Sequence, residues 1–168
     1  MKISQFLPAL AIAATVWMSP ALAEDSAQTF VDKAAVGGMF EVESSQLALK
    51  MSENLDIKQF ADMMVNDHGK ANADLKSLAD KQGLTVPDSL DEEHAALVKT
   101  LAKAGDQFDT QYAKAQLDAH EAAVELFENY ASKGENKELQ MFAVATLPTL
   151  HGHLDKIKEI GSRTAATK

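Results

Sequence analysis

The chain has 168 residues, no cysteine and a formal net charge of −9. Without cysteine it has no disulfides, no thiolate metal ligand, no thiol nucleophile and no lipid anchor on an N-terminal cysteine. The acidic balance disfavours nucleic acid and anionic lipid as partners, since Lys156 and Lys158 are too few to form a basic patch, and it suits a soluble, monodisperse domain.

Residues 1–23 read as a cleaved signal peptide. Lys2 supplies the positive start, an apolar run spans 6–18, and Ala21-Leu22-Ala23 forms an A-x-A cleavage pattern. The apolar run is shorter than the ~20 residues of a membrane-spanning helix, so no membrane insertion is expected after cleavage. Export, to the periplasm first and to the medium as the alternative, follows from this pattern. Removing Lys2 with the signal takes the charge from −9 to −10. The remaining chain is long enough for one domain with its own core.

Ala, Leu, Lys, Glu and Gln dominate and β-branched runs are absent, so the fold class is all-α. Helix one is expected over about 28–54, with Phe30, Ala34, Gly37, Glu41, Ser45, Ala48 and Met51 on one stripe. Asp56 is expected to cap helix two, which stops at Gly83 and carries Ile57, Phe60, Met64, His68, Ala71, Leu75 and Leu78. Ser89-Leu90-Asp91-Glu92 reads as a capping box that opens a short helix, 89–104. A long helix over 106–133 presents Phe108, Tyr112, Gln116, His120, Ala123, Phe127 and Tyr130, and ends at Gly134. The last helix starts near Asn136, with Leu139, Phe142, Thr146, Leu150, His153, Ile157 and Ile160 on its stripe. The bundle domain is taken as 24–161, followed by a flexible tail over 162–168.

If the short helix carries the chain back along the bundle, the second and third long helices run parallel. That is a ferritin-like four-helix bundle with one crossover, and an up-and-down bundle of five helices is the competing topology. The crossover form places Glu41, His68 and His120 within about 3 Å of one another along the axis. His153 is offset by about 6 Å, one turn, part of which a kink at Pro148 could absorb. Burying three imidazoles and a carboxylate is costly unless they are paired or metal-bound. Such a set suits Zn²⁺, Cu²⁺, Fe²⁺ or Ni²⁺ better than Ca²⁺ or Mg²⁺.

Other candidates have plainer readings. His151 and His153 lie about 200° apart on a helix, so only one faces the core, and His153 fits the stripe. His94 is expected in solvent, Asp67 as a surface or helix-pairing charge, and Glu43 off the stripe. Met39, Met51, Met63, Met64 and Met141 are scattered and read as core filling. The Tyr112 hydroxyl is expected to meet a polar partner, and Ser44 and Ser45 are expected to pack.

Phe40-Glu41-Val42-Glu43 and Phe60-Ala61-x-x-Met64-Val65-x-Asp67-His68 resemble the first helical hairpin of a known family. Phe108-Asp109-x-x-Tyr112, His120 with Leu126-Phe127, and Leu147-Pro148-x-Leu150-x-x-His153-Leu154 resemble the second. The family is the group of exported bacterial proteins called domain of unknown function 4142. The resemblance covers about 30–160, implies a ferritin-like bundle and implies no activity. Di-iron proteins of that fold repeat Glu-x-x-His on two helices. Here Val65, Leu117 and Leu150 stand where those glutamates would be, which disfavours iron storage and di-iron oxidation.

The expectation is therefore an exported soluble bundle holding one transition-metal ion (Zn, Cu, Fe or Ni). Its ligands are His68, His120 and His153, with Glu41 as fourth ligand or as acceptor behind them. Metal handling or envelope stress protection is the expected role. The alternative is a cofactor-free structural or interaction protein with a histidine-containing polar core. No catalytic motif is present, and a mononuclear metalloenzyme with an open coordination position is the remaining rival.

Overall fold

A computed structural model of the chain describes residues 26–166. The expected signal segment, 1–23, lies outside the described residues. The chain forms α1 (Ala27–Met51), α2 (Leu55–Gln82), α3 (Glu92–Leu101), α4 (Phe108–Lys133) and α5 (Lys137–Ala166). No strand occurs among the described residues, so the all-α expectation holds.

Local signals set the helix ends, with some shifts from expectation. Ser26 caps α1 by accepting from Thr29 N, and Asn54, not Asp56, caps α2 by accepting from the Asp56 and Ile57 amides. Asn sits before the first turn and can fold its carbonyl onto two free N–H groups. Gly83 ends α2 as expected, at φ 68°, a left-handed conformation that costs glycine little. Asp91, not Ser89, caps α3, and its Oδ1 accepts from both the amide and the Nδ1–H of His94. Glu92 and Glu93 then fill the first turn, where the helix dipole favours them. Asn136 caps α5, accepting from Glu138 and Leu139 N. α5 continues past 161, where the sequence suggested a tail, to Ala166. Arg163 bonds Asp56 at 3.3 Å and Glu159 at 3.4 Å there, tying this last turn to α2.

Cross-helix contacts define the topology. Gln28 near the start of α1 bonds Thr85 just past α2, and Glu41 meets His68 at mid-height, so α1 and α2 are antiparallel. The Ala27 amide donates to Glu135, whereas Ser45 meets Tyr112, so α1 and α4 are antiparallel too. α2 and α4 therefore run parallel, which requires a crossover along the bundle. The eight residues after Gly83 can reach at most about 26 Å and the 10-residue α3 adds about 15 Å, against about 39 Å for the 26 residues of α4. The loop and α3 together span the bundle, and the one-crossover topology is the one found. α5 closes the bundle antiparallel to α2 and α4, through Asn136–Gln82 and Lys158–Glu121.

The core has two aromatic layers. Phe30 stacks on Tyr130 with centroids 4.0 Å apart and meets Phe127 edge-on at one end. Phe60, Tyr112 and Phe108 pack together at the other. Between them the stripes turn polar or small. Gly38 lies against the Asn72 amide, and a side chain at 38 would displace it. Of the methionines expected in the core, only Met64 is fully buried, whereas Met51 and Met141 are exposed, Met141 by 64%. Met51, expected on the α1 stripe, is the last residue of its helix and reaches past the core, and Met141 lies off the α5 stripe. Among the described residues no helix is long and apolar enough to cross a membrane.

Candidate metal centre

Each long helix delivers one side chain to the polar layer. Glu41 comes from α1, His68 from α2, His120 from α4 and His153 from α5. All four are buried, His120 completely. The three imidazole centroids form a nearly equilateral triangle with sides of 5.3, 5.4 and 5.5 Å. One nitrogen from each ring can be chosen so that all three lie within 4.8 Å of one another, a spacing that could hold a metal ion. The Phe60 ring covers His120 and His153 at 6.2 and 6.4 Å.

Hydrogen-bond partners set the tautomers. His68 Nδ1 lies 2.8 Å from Glu41 Oε2 and donates to it. His120 Nδ1 donates to the Gln116 carbonyl, one turn earlier, at 2.9 Å. His153 Nε2 donates to Asp67 Oδ2 at 3.0 Å. In each ring the opposite nitrogen then keeps its lone pair. His68 Nε2 faces His153 Nδ1 at 3.3 Å, and His120 Nε2 is buried with no hydrogen-bond partner among the described residues. Two facing lone pairs repel unless a cation lies between them. In the metal-free protein a proton on His68 Nε2, donated to His153 Nδ1, relieves that repulsion, and the raised pKa of His68 lies in the direction that favours it.

The charges agree with this arrangement. Burial opposes ionisation of Glu41, but the charge and hydrogen bond of His68, with His120 and His153 nearby, hold its pKa below the usual value. Burial likewise opposes a charged His68, and Glu41 overrides it, raising that pKa. Burial lowers the pKa of His120 against the pull of Glu41, and His68 adds to the lowering. His153 is also lowered, by burial first and then by the other two rings, against its bond to Asp67. Glu41 Oε1 lies 3.3 Å from His120 Nδ1 yet receives no hydrogen bond, because that N–H is directed to the Gln116 carbonyl. The contact is electrostatic only.

All four expected residues thus meet, and the expected one-turn offset of His153 does not keep it away. Ring reach and shifted helix ends absorb the offset, with α5 continuous through Pro148. Two contributors escaped the sequence reading as parts of this layer. Asp67, half-exposed, pairs α2 with α5 and also orients His153. Its adjacency to His68 was the available signal. The Gln116 carbonyl carries no sequence signal at all. The Gln116 amide donates to Ser44 Oγ at 2.8 Å, and Tyr112 meets Ser45 at 2.8 Å, so both serines are polar links as well as packing residues. Glu43 and His151 are exposed. His94 is half-buried rather than in solvent, with its ring edge on Phe40 at 5.3 Å, because Asp91 holds it against α1. A cleft of about 520 Å³ with Leu75, Leu126, Phe142 and Leu150 in its walls reaches Glu41 and His68.

Known folds resemble this one. A DUF305 fragment from Deinococcus radiodurans superposes with a TM-score of 0.72 at 16% identity, covering 86% of this chain and 99% of that one. CopM in its Cu(II)-bound form gives 0.69 at 16% identity, with 81% and 95% covered. Its Cu(I)-bound form gives 0.67 at 16%, with 79% and 92% covered. These likenesses establish a shared helical bundle. No curated protein matches the sequence. The pattern of the family described as "Domain of unknown function (DUF4142)" matches residues 13–160, and the chain belongs to that family.

Proposed function

We propose that this protein binds one transition-metal ion in the bundle core and serves in metal handling. The ligands are His68 Nε2, His120 Nε2 and His153 Nδ1. Glu41, the Gln116 carbonyl and Asp67 are the acceptors that orient them through the opposite nitrogens. The observation that carries this reading is the set of three buried imidazoles, each with one nitrogen within 4.8 Å of the others, of which His120 Nε2 has no hydrogen-bond partner among the described residues. A cofactor-free polar core would leave His120 Nε2 buried and unpaired, at a cost of about 1–3 kcal/mol. When bound, the ion supplies Lewis-acid or one-electron chemistry according to its identity. Copper leads among Zn, Cu, Fe and Ni. Imidazole suits it, and CopM, with its Cu(II), Cu(I) and silver forms, shares the fold.

Glu41 acts here as acceptor rather than fourth ligand: Oε2 is taken by His68, and Oε1 lies beside His120 Nδ1, on the side of that ring away from its ligand nitrogen. Lys2, the apolar run and Ala21-Leu22-Ala23 support export, with the periplasm as the place of action and protection of the envelope from excess metal as its use.

The test is titration of metal-stripped protein with Cu⁺, Cu²⁺, Zn²⁺, Fe²⁺ and Ni²⁺, reading stoichiometry and melting temperature. One equivalent of at least one ion should bind and raise the melting temperature. At a free concentration a thousandfold above Kd the gain is about 4 kcal/mol. No one-to-one binding with any of the five would overturn the proposal. In the same titration Asp67→Asn should bind about 10–100-fold more weakly without losing the one-to-one ratio, because it loosens one ring but removes no ligand.

A further inference from the structure

Two surface openings lead to the histidine layer. One is the 520 Å³ cleft, which ends at Glu41 and His68. The other is a groove of Gln59, Phe60, Met63, Thr149, Gly152 and Lys156 that ends at His153. Each is a candidate route for an ion bound to the three imidazoles, and the two differ in charge. The cleft carries Asp32, Asp91 and Glu125 along its walls and Glu41 at its inner end, against Lys33. In the groove no carboxylate is among the wall residues; Lys156 stands there, 3.4 Å from Glu159, and Asp67 bonds His153 at its inner end. A low-dielectric channel lined by one sign of charge concentrates the opposite sign and speeds its arrival.

The Phe60 ring lies over His120 and His153 on the groove side. The cleft wall is also built to stay open. Gly37, Ala71, Ala119, Ala122 and Ala123 are small residues along it. A Cβ added at Gly37 meets no atom within 4 Å.

We propose that the cleft is the passage by which a cation reaches His68 and then the other two histidines, and that the groove beside His153 is not. This rests on the metal-binding reading above and adds the route to it. The wall residues act on the rate of loading, and the three imidazoles act on its equilibrium.

Two glycines allow a symmetric test. Gly37 lines the cleft and Gly152 lines the groove, and a Cβ at either position meets open space, so Gly37→Leu and Gly152→Leu each narrow one opening. Loading of the metal-free protein with Cu²⁺ is followed in stopped flow by quenching of Tyr112 and Tyr130 fluorescence, beside an equilibrium titration. Gly37→Leu should slow loading by about tenfold or more, within the range that steering controls, and keep one equivalent at unchanged affinity. Retention of that equivalent shows that the variant is folded. Gly152→Leu should load at the wild-type rate. Wild-type loading by Gly37→Leu, or slowing in Gly152→Leu instead, overturns the route while leaving the metal site intact. A wild-type protein that takes up no Cu²⁺ in either measurement overturns the metal reading for this ion and the route with it.

Discussion

His120→Ala should abolish the metal-dependent rise in melting temperature. His120 is the fully buried member of the triad, and its Nε2 has no other partner among the described residues. Alanine removes a donor that the remaining two rings cannot replace, since their other nitrogens are held by Glu41 and Asp67. Loss of the ion forfeits the binding contribution, about 4 kcal/mol at a thousandfold excess over Kd. The cavity left by the ring adds about 2–4 kcal/mol in the metal-free protein, as for other large-to-small changes in a core. The two losses separate experimentally. The cavity lowers the melting temperature with and without metal, whereas loss of the ligand removes the difference between the two curves. A variant that still gains stability from one equivalent of metal would show that His120 is not a ligand.

Glu41 governs the second large effect. Glu41→Ala leaves His68 buried without its acceptor, and breaking a buried pair on one side costs about 3–5 kcal/mol. The pH profile of the metal-free protein is more informative still. His68 has a raised pKa, so its contribution is complete below the ordinary histidine value of 6.5 and is lost as pH climbs through the folded value. His120 and His153 have lowered pKa values, so their contributions are present above 6.5 and are lost as pH falls. Glu41 is lowered as well, and its share is present above 4.5 and disappears below that as the carboxylate is protonated. Stability should therefore peak near pH 6.5, with two histidines opening the acid limb and one the alkaline limb. In Glu41→Gln the alkaline limb should flatten, because the charge that chiefly holds a proton on His68 is gone and only the weaker pull of Asp67 remains. Melting temperatures between pH 4 and pH 9 check this. An alkaline limb of unchanged slope in Glu41→Gln would assign that limb to another group.

Much of this molecule was legible as a one-dimensional pattern. An apolar stripe with a 3.6-residue period places Glu41, His68, His120 and His153 on inner faces whatever the neighbouring helices do. Gly83 and Gly134 mark helix ends, and the glutamates missing from Glu-x-x-His positions argue against a di-iron centre. The crossover was legible as one of two topologies, because a short helix and its loop are long enough to return along the bundle but need not do so.

The sequence by itself therefore determined the helices, their inward faces and the four residues of the polar layer, since periodicity and caps are local properties of the chain. Tertiary structure alone decided which nitrogen of each ring faces the centre, that Asp67 and the Gln116 carbonyl hold two of those rings, that His94 lies against Phe40, and that a cleft opens onto His68. Those features depend on rotamers and on the relative rotation and height of all four helices. Both are set by side chains distant in sequence packing into a single core.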